Sequence, residues 1–147
     1  MNETTSFPGI MDFDLAFEQR YARVWSNPTR KIIICELLAD YVPIEVFKEV
    51  FNEIGTLVKA GDYTKFIFDK RALRAFHQPT MEWYFIHWKK DMLQYGVKTH
   101  RKILPAEKWF EKMVQIAKNQ ILTQYPEHII DQLDIAYCET IEEAILT

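Results

Sequence analysis

The chain has 147 residues, 48% of them hydrophobic, with a formal net charge of -3 and a pI near 5.8. That size suits one domain with a sizeable core. Lys and Arg are scattered among Asp and Glu, which leaves no electrostatic footprint for nucleic acid or an anionic membrane surface, and no apolar run approaches the length of a membrane span.

The N-terminal stretch, residues 1–10, reads as a flexible polar arm with no secretory pattern, followed by a single domain over 11–147. Phe13, Leu15 and Phe17 alternate with Asp12, Asp14 and Ala16, the period-two signature of a half-buried strand. Tyr21 to Trp25 repeats it, so the two form a hairpin that ends in a turn at Asn27-Pro28. Lys31 to Leu38, KIIICELL, is a denser run of the kind found in strands covered on both faces. From Pro43 the period changes. Phe47, Val50, Phe51, Ile54, Leu57 and Val58 share one helical face, and Gly61 closes that helix.

Thr64 to Asp69 is the next strand. A second helix starts near Thr80 and carries Met81, Tyr84, Phe85, Trp88, Met92 and Tyr95 as its buried stripe, with Gly96 placed to end it. Thr99 to Leu104 is another strand, and Pro105 suits the first turn of a third helix bearing Phe110, Met113, Val114, Ala117 and Ile121. The basic pairs Lys89-Lys90 and Arg101-Lys102 read as solvated faces. Leu133 to Cys138 alternates as a last strand, and Thr140-Ile141-Glu142-Glu143 is a capping box opening a last helix. A hairpin feeding repeated strand and helix units predicts an α/β fold, with about four helices on a mixed, mostly parallel sheet.

This element order resembles the STAS (sulfate transporter and anti-sigma factor antagonist) fold, and within it the small soluble SpoIIAA-like branch. The matching residues are Phe66-Ile67-Phe68-Asp69, the helix with Glu82-Trp83, Ile103-Leu104-Pro105 and Glu142-Glu143-Ala144. The resemblance spans nearly the whole chain and implies a protein-interaction or ligand-sensing module without chemistry of its own. Anti-sigma factor antagonists carry a phosphorylatable Ser after the Asp of the corresponding strand. Here Asp69 is followed by Lys70-Arg71-Ala72, so the resemblance carries over the loop and not the phosphorylation switch.

In an open parallel sheet, ligands and partners bind outside the carboxyl ends of the strands. That rule selects Asp40 and Tyr41, then Asp69, Lys70, Arg71 and His77, then Pro105 and Glu107. One reading is a polar rim where Arg71 and the helix N-terminus near Thr80 receive an anionic group. The plainer reading pairs Asp69 with Arg71 or with loop amides, and makes Thr80 a helix cap. Trp83 and Ile86 lie off the buried stripe and point to a second contact surface, either a neighbouring helix or a partner subunit in a homodimer.

No catalytic or cofactor signature accompanies these residues. His77 and His100 fall at opposite strand ends, roughly 17 Å or more apart, too far to share a zinc ion. His87 and His128 lack ligand spacing, so no metal is expected. None of the four glycines forms a phosphate-cradling loop. Cys35 and Cys138 sit in strand-like segments and read as free core thiols in a cytoplasmic protein. The sequence therefore points to a non-catalytic regulatory or scaffold protein. Its protein partner would bind through Asp69, Lys70, Arg71, His77, Thr80 and Trp83. The alternative is a carrier or sensor of a small apolar or anionic ligand held between sheet and helices.

Overall fold

The computed structural model describes residues 12–147; the expected N-terminal arm lies outside them. Six strands form one sheet whose spatial order follows the chain: β1 (Asp14–Gln19), β2 (Ala22–Asn27), β3 (Ile32–Leu37), β4 (Lys65–Asp69), β5 (Thr99–Ile103) and β6 (Asp134–Tyr137). The first three pair antiparallel, and β3 through β6 pair parallel. Helix α1 (Ile44–Ala60) connects β3 to β4. The β4–β5 link is a continuous helix made of α2 (Gln78–Glu82), a π-helical turn (Trp83–Trp88) and α3 (Lys89–Leu93). Helix α4 (Lys108–Gln124) leads towards β6, and α5 (Ile141–Leu146) follows it. The α/β class and mostly parallel mixed sheet are as the sequence pattern predicts. No helix among the described residues is long and apolar enough to cross a membrane.

Strand β3 explains the two-sided architecture. Ile33, Cys35 and Leu37 belong to a large core shared with α1, α2–α3 and α4, while Ile32 and Ile34 belong to a smaller core shared with α5. Every position of β3 is covered by one core or the other except Glu36. Strand β1 departs from simple alternation. Its register with β2 jumps between Leu15, opposite Trp25, and Phe17, opposite Val24. This bulge at Ala16 sends Phe13 and Leu15 to the smaller core and Phe17 to the larger one, where the period-two reading placed all three on one face.

The large core is mostly aromatic. Phe51 stacks on Phe47 at 4.2 Å and meets Trp88 edge-on at 5.0 Å, and Phe66 packs on Trp88 at 4.9 Å. Such pairs add about 0.5–1.5 kcal/mol each beyond area burial. The Trp88 indole N–H donates to the Phe51 carbonyl at 2.8 Å, satisfying its one polar atom inside the core. Gly55 permits this approach of the two helices, since a Cβ there would lie 3.3 Å from the Met92 methyl.

Helix α5 is only six residues long and too short to persist alone. Thr140 caps its first turn by accepting from the Glu143 N–H at 3.0 Å, and the Glu143 carboxylate reaches back to the Glu139 N–H at 2.9 Å. At the other end Lys65 Nζ donates to the Ala144 and Ile145 carbonyls, both at 2.9 Å, and Arg101 donates to the Thr147 carbonyl at 2.9 Å. Two cations thus sit where the helix dipole is negative.

Some expected boundaries and faces shift. The second helix begins at Gln78, with Pro79 in its first turn, so Thr80 is already inside it. Helix α4 begins at Lys108, leaving Pro105 in the preceding loop; a residue without an N–H suits both places equally. Tyr95 lies beyond the end of α3, 44% exposed, and Met113 is 43% exposed at the margin of the buried face of α4.

Candidate ligand-binding site

At the carboxyl ends of β3 and β4 the sheet, α1, α2 and α4 enclose a cavity of about 60 Å³. A buried water needs about 10–15 Å³ by this measure, so the space holds several waters or a compact organic molecule. Its wall is aromatic and aliphatic, from Phe47, Phe68, Phe76, Phe110 and Val114, and its polar groups come from Lys70, His77, Thr80 and Tyr84.

The loop after β4 roofs this space and is held from several sides. Lys70 N–H donates to the Ile103 carbonyl at 2.8 Å, and Leu73 N–H closes a turn onto the Lys70 carbonyl at 3.1 Å. Arg74 donates from its backbone to the Asp40 carbonyl at 2.8 Å, and its guanidinium binds the Arg71 and Leu73 carbonyls and faces Glu107 at 3.6 Å. Phe76 meets Phe110 of α4 edge-on at 6.1 Å. The loop is therefore tied to the ends of β3, β5 and α4.

Strand alternation separates the candidate residues. Phe66 and Phe68 face the large core and Ile67 the smaller one, so along β4 Lys70 continues the first series and Asp69 the second. Asp69 carries a two-pronged pair with Arg71, Nε to Oδ1 at 3.0 Å and Nη2 to Oδ2 at 2.8 Å, and also accepts the Arg71 N–H at 3.1 Å. The Asp69 side chain is 5% exposed and that of Arg71 51%. The hydrogen bonds that Arg71 donates to Asp69 raise the Arg71 pKa further. Lys70, in contrast, is 8% exposed, lies 5.1 Å from the Phe68 ring centre, and has its pKa pushed down by burial to about 8.

His77 Nδ1 and the Thr80 hydroxyl lie 2.8 Å apart on the cavity wall, and no side chain caps the N-terminus of α2. Trp83 stands outside the cavity, edge-on to Phe47 at 6.1 Å with Lys48 Nζ 5.7 Å from its ring centre. Lys70, His77 and Thr80 thus come together, Asp69 and Arg71 form a separate pair, and Trp83 belongs to the α1–α2 seam. His100 is fully enclosed near Phe66, at 6.2 Å between ring centres, while His77 lines the cavity.

A group of polar residues behind the cavity was not anticipated. Lys89 and Arg101-Lys102, read as solvated, are 0%, 5% and 1% exposed; only Lys90 of the two basic pairs is in solvent. The reason is positional. Lys89 falls four residues after Phe85 and three before Met92, inside the buried stripe, and β5 has neighbours on both edges and cover on both faces. Lys102, two residues after His100, points with it towards the large core. The strand sequence Thr99-His100-Arg101-Lys102 in a position covered on both sides was the available signal.

Lys89 and Lys102 each place Nζ 4.2 Å from the Phe85 ring centre, and 4.8 and 5.5 Å from that of Tyr84. Burial pushes the Lys89 pKa down to about 7, and burial together with Lys89 and Lys70 pushes that of Lys102 well down. Burial likewise keeps His100 neutral and raises the Tyr84 phenol well above its usual value. Among the described residues, the Tyr84 hydroxyl, Lys89 Nζ and both His100 ring nitrogens are enclosed without a hydrogen-bond partner.

Among the described residues no group of His, Cys, Asp or Glu has the arrangement of a metal centre. Both cysteines are free and buried; burial raises the Cys35 thiol pKa, and Cys138 faces the Thr147 hydroxyl at 3.8 Å. The site can therefore offer an apolar enclosure with the Lys70 amine, the His77 ring, Thr80 and Tyr84 on its wall, and two further amines behind it. No family model, curated protein or solved structure matches this chain.

Proposed function

We propose that this chain is a non-catalytic, STAS-like binding module that takes a small ligand into the cavity at the carboxyl ends of β3 and β4. The observation that carries this reading is the meeting there of an apolar enclosure with the buried Lys70 and with Tyr84, whose hydroxyl has no hydrogen-bond partner among the described residues. Binding pockets commonly combine apolar walls with a few convergent polar groups. The pinned loop from Lys70 to His77 would respond to occupancy, which makes sensing a natural use of the site.

The test is nuclear magnetic resonance titration with a panel of compact neutral molecules, together with native mass spectrometry of freshly purified protein. Ligands should shift resonances of Phe76, Thr80 and Tyr84, and Ala75→Leu, which fills the entrance from an unstrained loop position, should abolish those shifts with little change in melting temperature. Shifts that survive Ala75→Leu, or that appear only elsewhere, would remove the cavity from consideration.

A protein partner is the second reading, favoured by exposed Trp109, Met113 and Ile116, which recur on one face of α4 beside the loop. Trp109→Ala should then weaken capture of a partner or self-association without changing stability.

A further inference from the structure

Three lysines from three elements converge behind the cavity. Lys70 leaves the end of β4, Lys89 projects from α3 and Lys102 stands on β5, at 8%, 0% and 1% exposure. Lys89 and Lys102 share the face of one ring, Phe85, and the Tyr84 ring beside it forms part of the cavity wall together with Lys70. Among the described residues, no carboxylate lies within ion-pair distance of any of the three lysines. Among the same residues, the Tyr84 hydroxyl and Lys89 Nζ also find no hydrogen-bond partner.

Native cores leave few enclosed polar atoms unpaired, and enclosed charges are almost always matched. Water can satisfy a hydroxyl or an amine, yet it does not offset the cost of protonating three adjacent buried amines. A single anion offsets it.

We infer that the inner end of the cavity receives the carboxylate of a small organic acid with a compact apolar body, held directly by the Lys70 amine and the Tyr84 hydroxyl. Lys89 and Lys102 stand behind these two and supply positive potential. The inference rests on the ligand-binding reading above and names the ligand's class. A carboxylate is favoured over a phosphoryl group by the rest of the wall. Phosphate sites draw on clustered backbone N–H groups at helix N-termini and glycine loops. Here Pro79 removes one N–H from the first turn of α2, and Gly55, Gly61 and Gly96 all lie away from the cavity lining. The volume of about 60 Å³ admits a short or branched acid and not a long acyl chain.

The lowered pKa values of Lys70 and Lys89, about 8 and about 7, give the binding a pH signature. The titratable and charged groups around the cluster are Cys35 on β3, Lys70 just after β4, Tyr84 on the π-helical turn, Lys89 on α3, His100, Arg101 and Lys102 on β5, Lys118 on α4 and Tyr137 at the end of β6. Burial keeps His100 neutral and raises the pKa values of both tyrosines, which leaves Lys70 and Lys89, at about 8 and about 7, as the groups that titrate just above neutrality. An arriving carboxylate restores their protons, so its affinity falls as pH rises through that window.

The experiment titrates the full chain with isobutyrate, its neutral isostere isobutyramide, and inorganic phosphate, following the Tyr84 and Thr80 resonances at pH 6.5 and 9. Isobutyrate should bind at least tenfold more tightly than the amide at pH 6.5, and should lose about tenfold by pH 9 while the amide does not change. Lys70→Met and Lys102→Met should each bring the preference for isobutyrate over the amide at pH 6.5 down to about unity. The wild-type pH comparison gives its answer even if a variant fails to fold.

Equal binding of acid and amide, or acid binding indifferent to pH and to Lys70→Met, would overturn the anion site and leave the cavity reading standing. Phosphate binding in preference to isobutyrate would overturn the choice of a carboxylate. Failure of both acid and amide to move cavity resonances would overturn this inference and the ligand-binding reading together.

Discussion

At the scale of single residues, the Asp69–Arg71 pair shows how a rim position can be structural. Asp69 is almost wholly enclosed and spends both carboxylate oxygens on Arg71, whose own side chain is half exposed. Removing one partner of a fully buried pair costs about 3–5 kcal/mol, because the remaining charge is left unmatched. Solvent reaches the Arg71 side of this pair, so the discounted expectation is about 1–2 kcal/mol for Arg71→Ala. Asp69→Asn in the Arg71→Ala background should recover much of that loss, since it removes the unmatched charge. Urea unfolding of the two single variants and the double variant measures the coupling, and additive losses would mean that the two side chains do not support each other. Arg71→Glu, which would set two carboxylates against each other, therefore reports on folding before it reports on any partner.

At the scale of elements, the helix that links β4 to β5 shows what sequence patterns specify and what they leave open. Its end is well specified. Gly96 has φ near +100°, Val97 N–H reaches back to the Met92 carbonyl at 3.2 Å, and Gly96 N–H meets the Leu93 carbonyl at 3.1 Å. Only glycine adopts that backbone without strain, so Gly96→Ala should cost about 1 kcal/mol, readable as a lowered melting temperature with no loss of helix signal at low temperature. A neutral Gly96→Ala would show that the turn relaxes. The buried stripe of this helix was equally legible, because Met81, Tyr84, Phe85, Trp88 and Met92 repeat at helical spacing. Periodicity does not report how wide the covered face is. Lys89 was therefore assigned to solvent although it lies within the stripe, and Met113 to the core although it lies at the edge of one. The same limit applies to strands. The dense run within Lys31 to Leu38 matches the structure because both faces of β3 are covered, whereas the bulge at Ala16 leaves no mark in composition and reverses Phe17 against Phe13 and Leu15. The location of the candidate site at the carboxyl ends of the strands followed from topology, which is a property of element order. Which of its residues meet depended on a single-residue alternation, Asp69 to one core and Lys70 to the other, and on the depth of β5 within the sheet.

At the scale of the whole molecule, a chain with net charge -3 keeps three of its lysines inside, away from the acidic groups that would match them. The unfolded chain exposes these amines to water, where each titrates near 10.4, while in the folded state Lys70 and Lys89 have values of about 8 and about 7. Between those values the unfolded state binds more protons, so the stability of the ligand-free protein rises with pH across this window. The contribution is complete above the unfolded value and is lost as pH falls through the folded values. Above about pH 10 the raised Tyr84 value acts in the opposite direction, because the unfolded phenol then loses its proton first. The window for measurement is therefore pH 7 to 9, where urea unfolding should show a gain on the order of 4 kcal/mol. Most globular domains are already at or past their maximum there. Lys89→Met removes one titrating amine at nearly constant volume, so it should raise stability at pH 7 and flatten the rise. A flat wild-type profile would mean that these amines keep their ordinary values. Saturating carboxylate should also flatten it, by holding the protons on the folded state, and the same cluster would then make the free protein strongest at alkaline pH and the loaded protein comparatively stronger near neutrality.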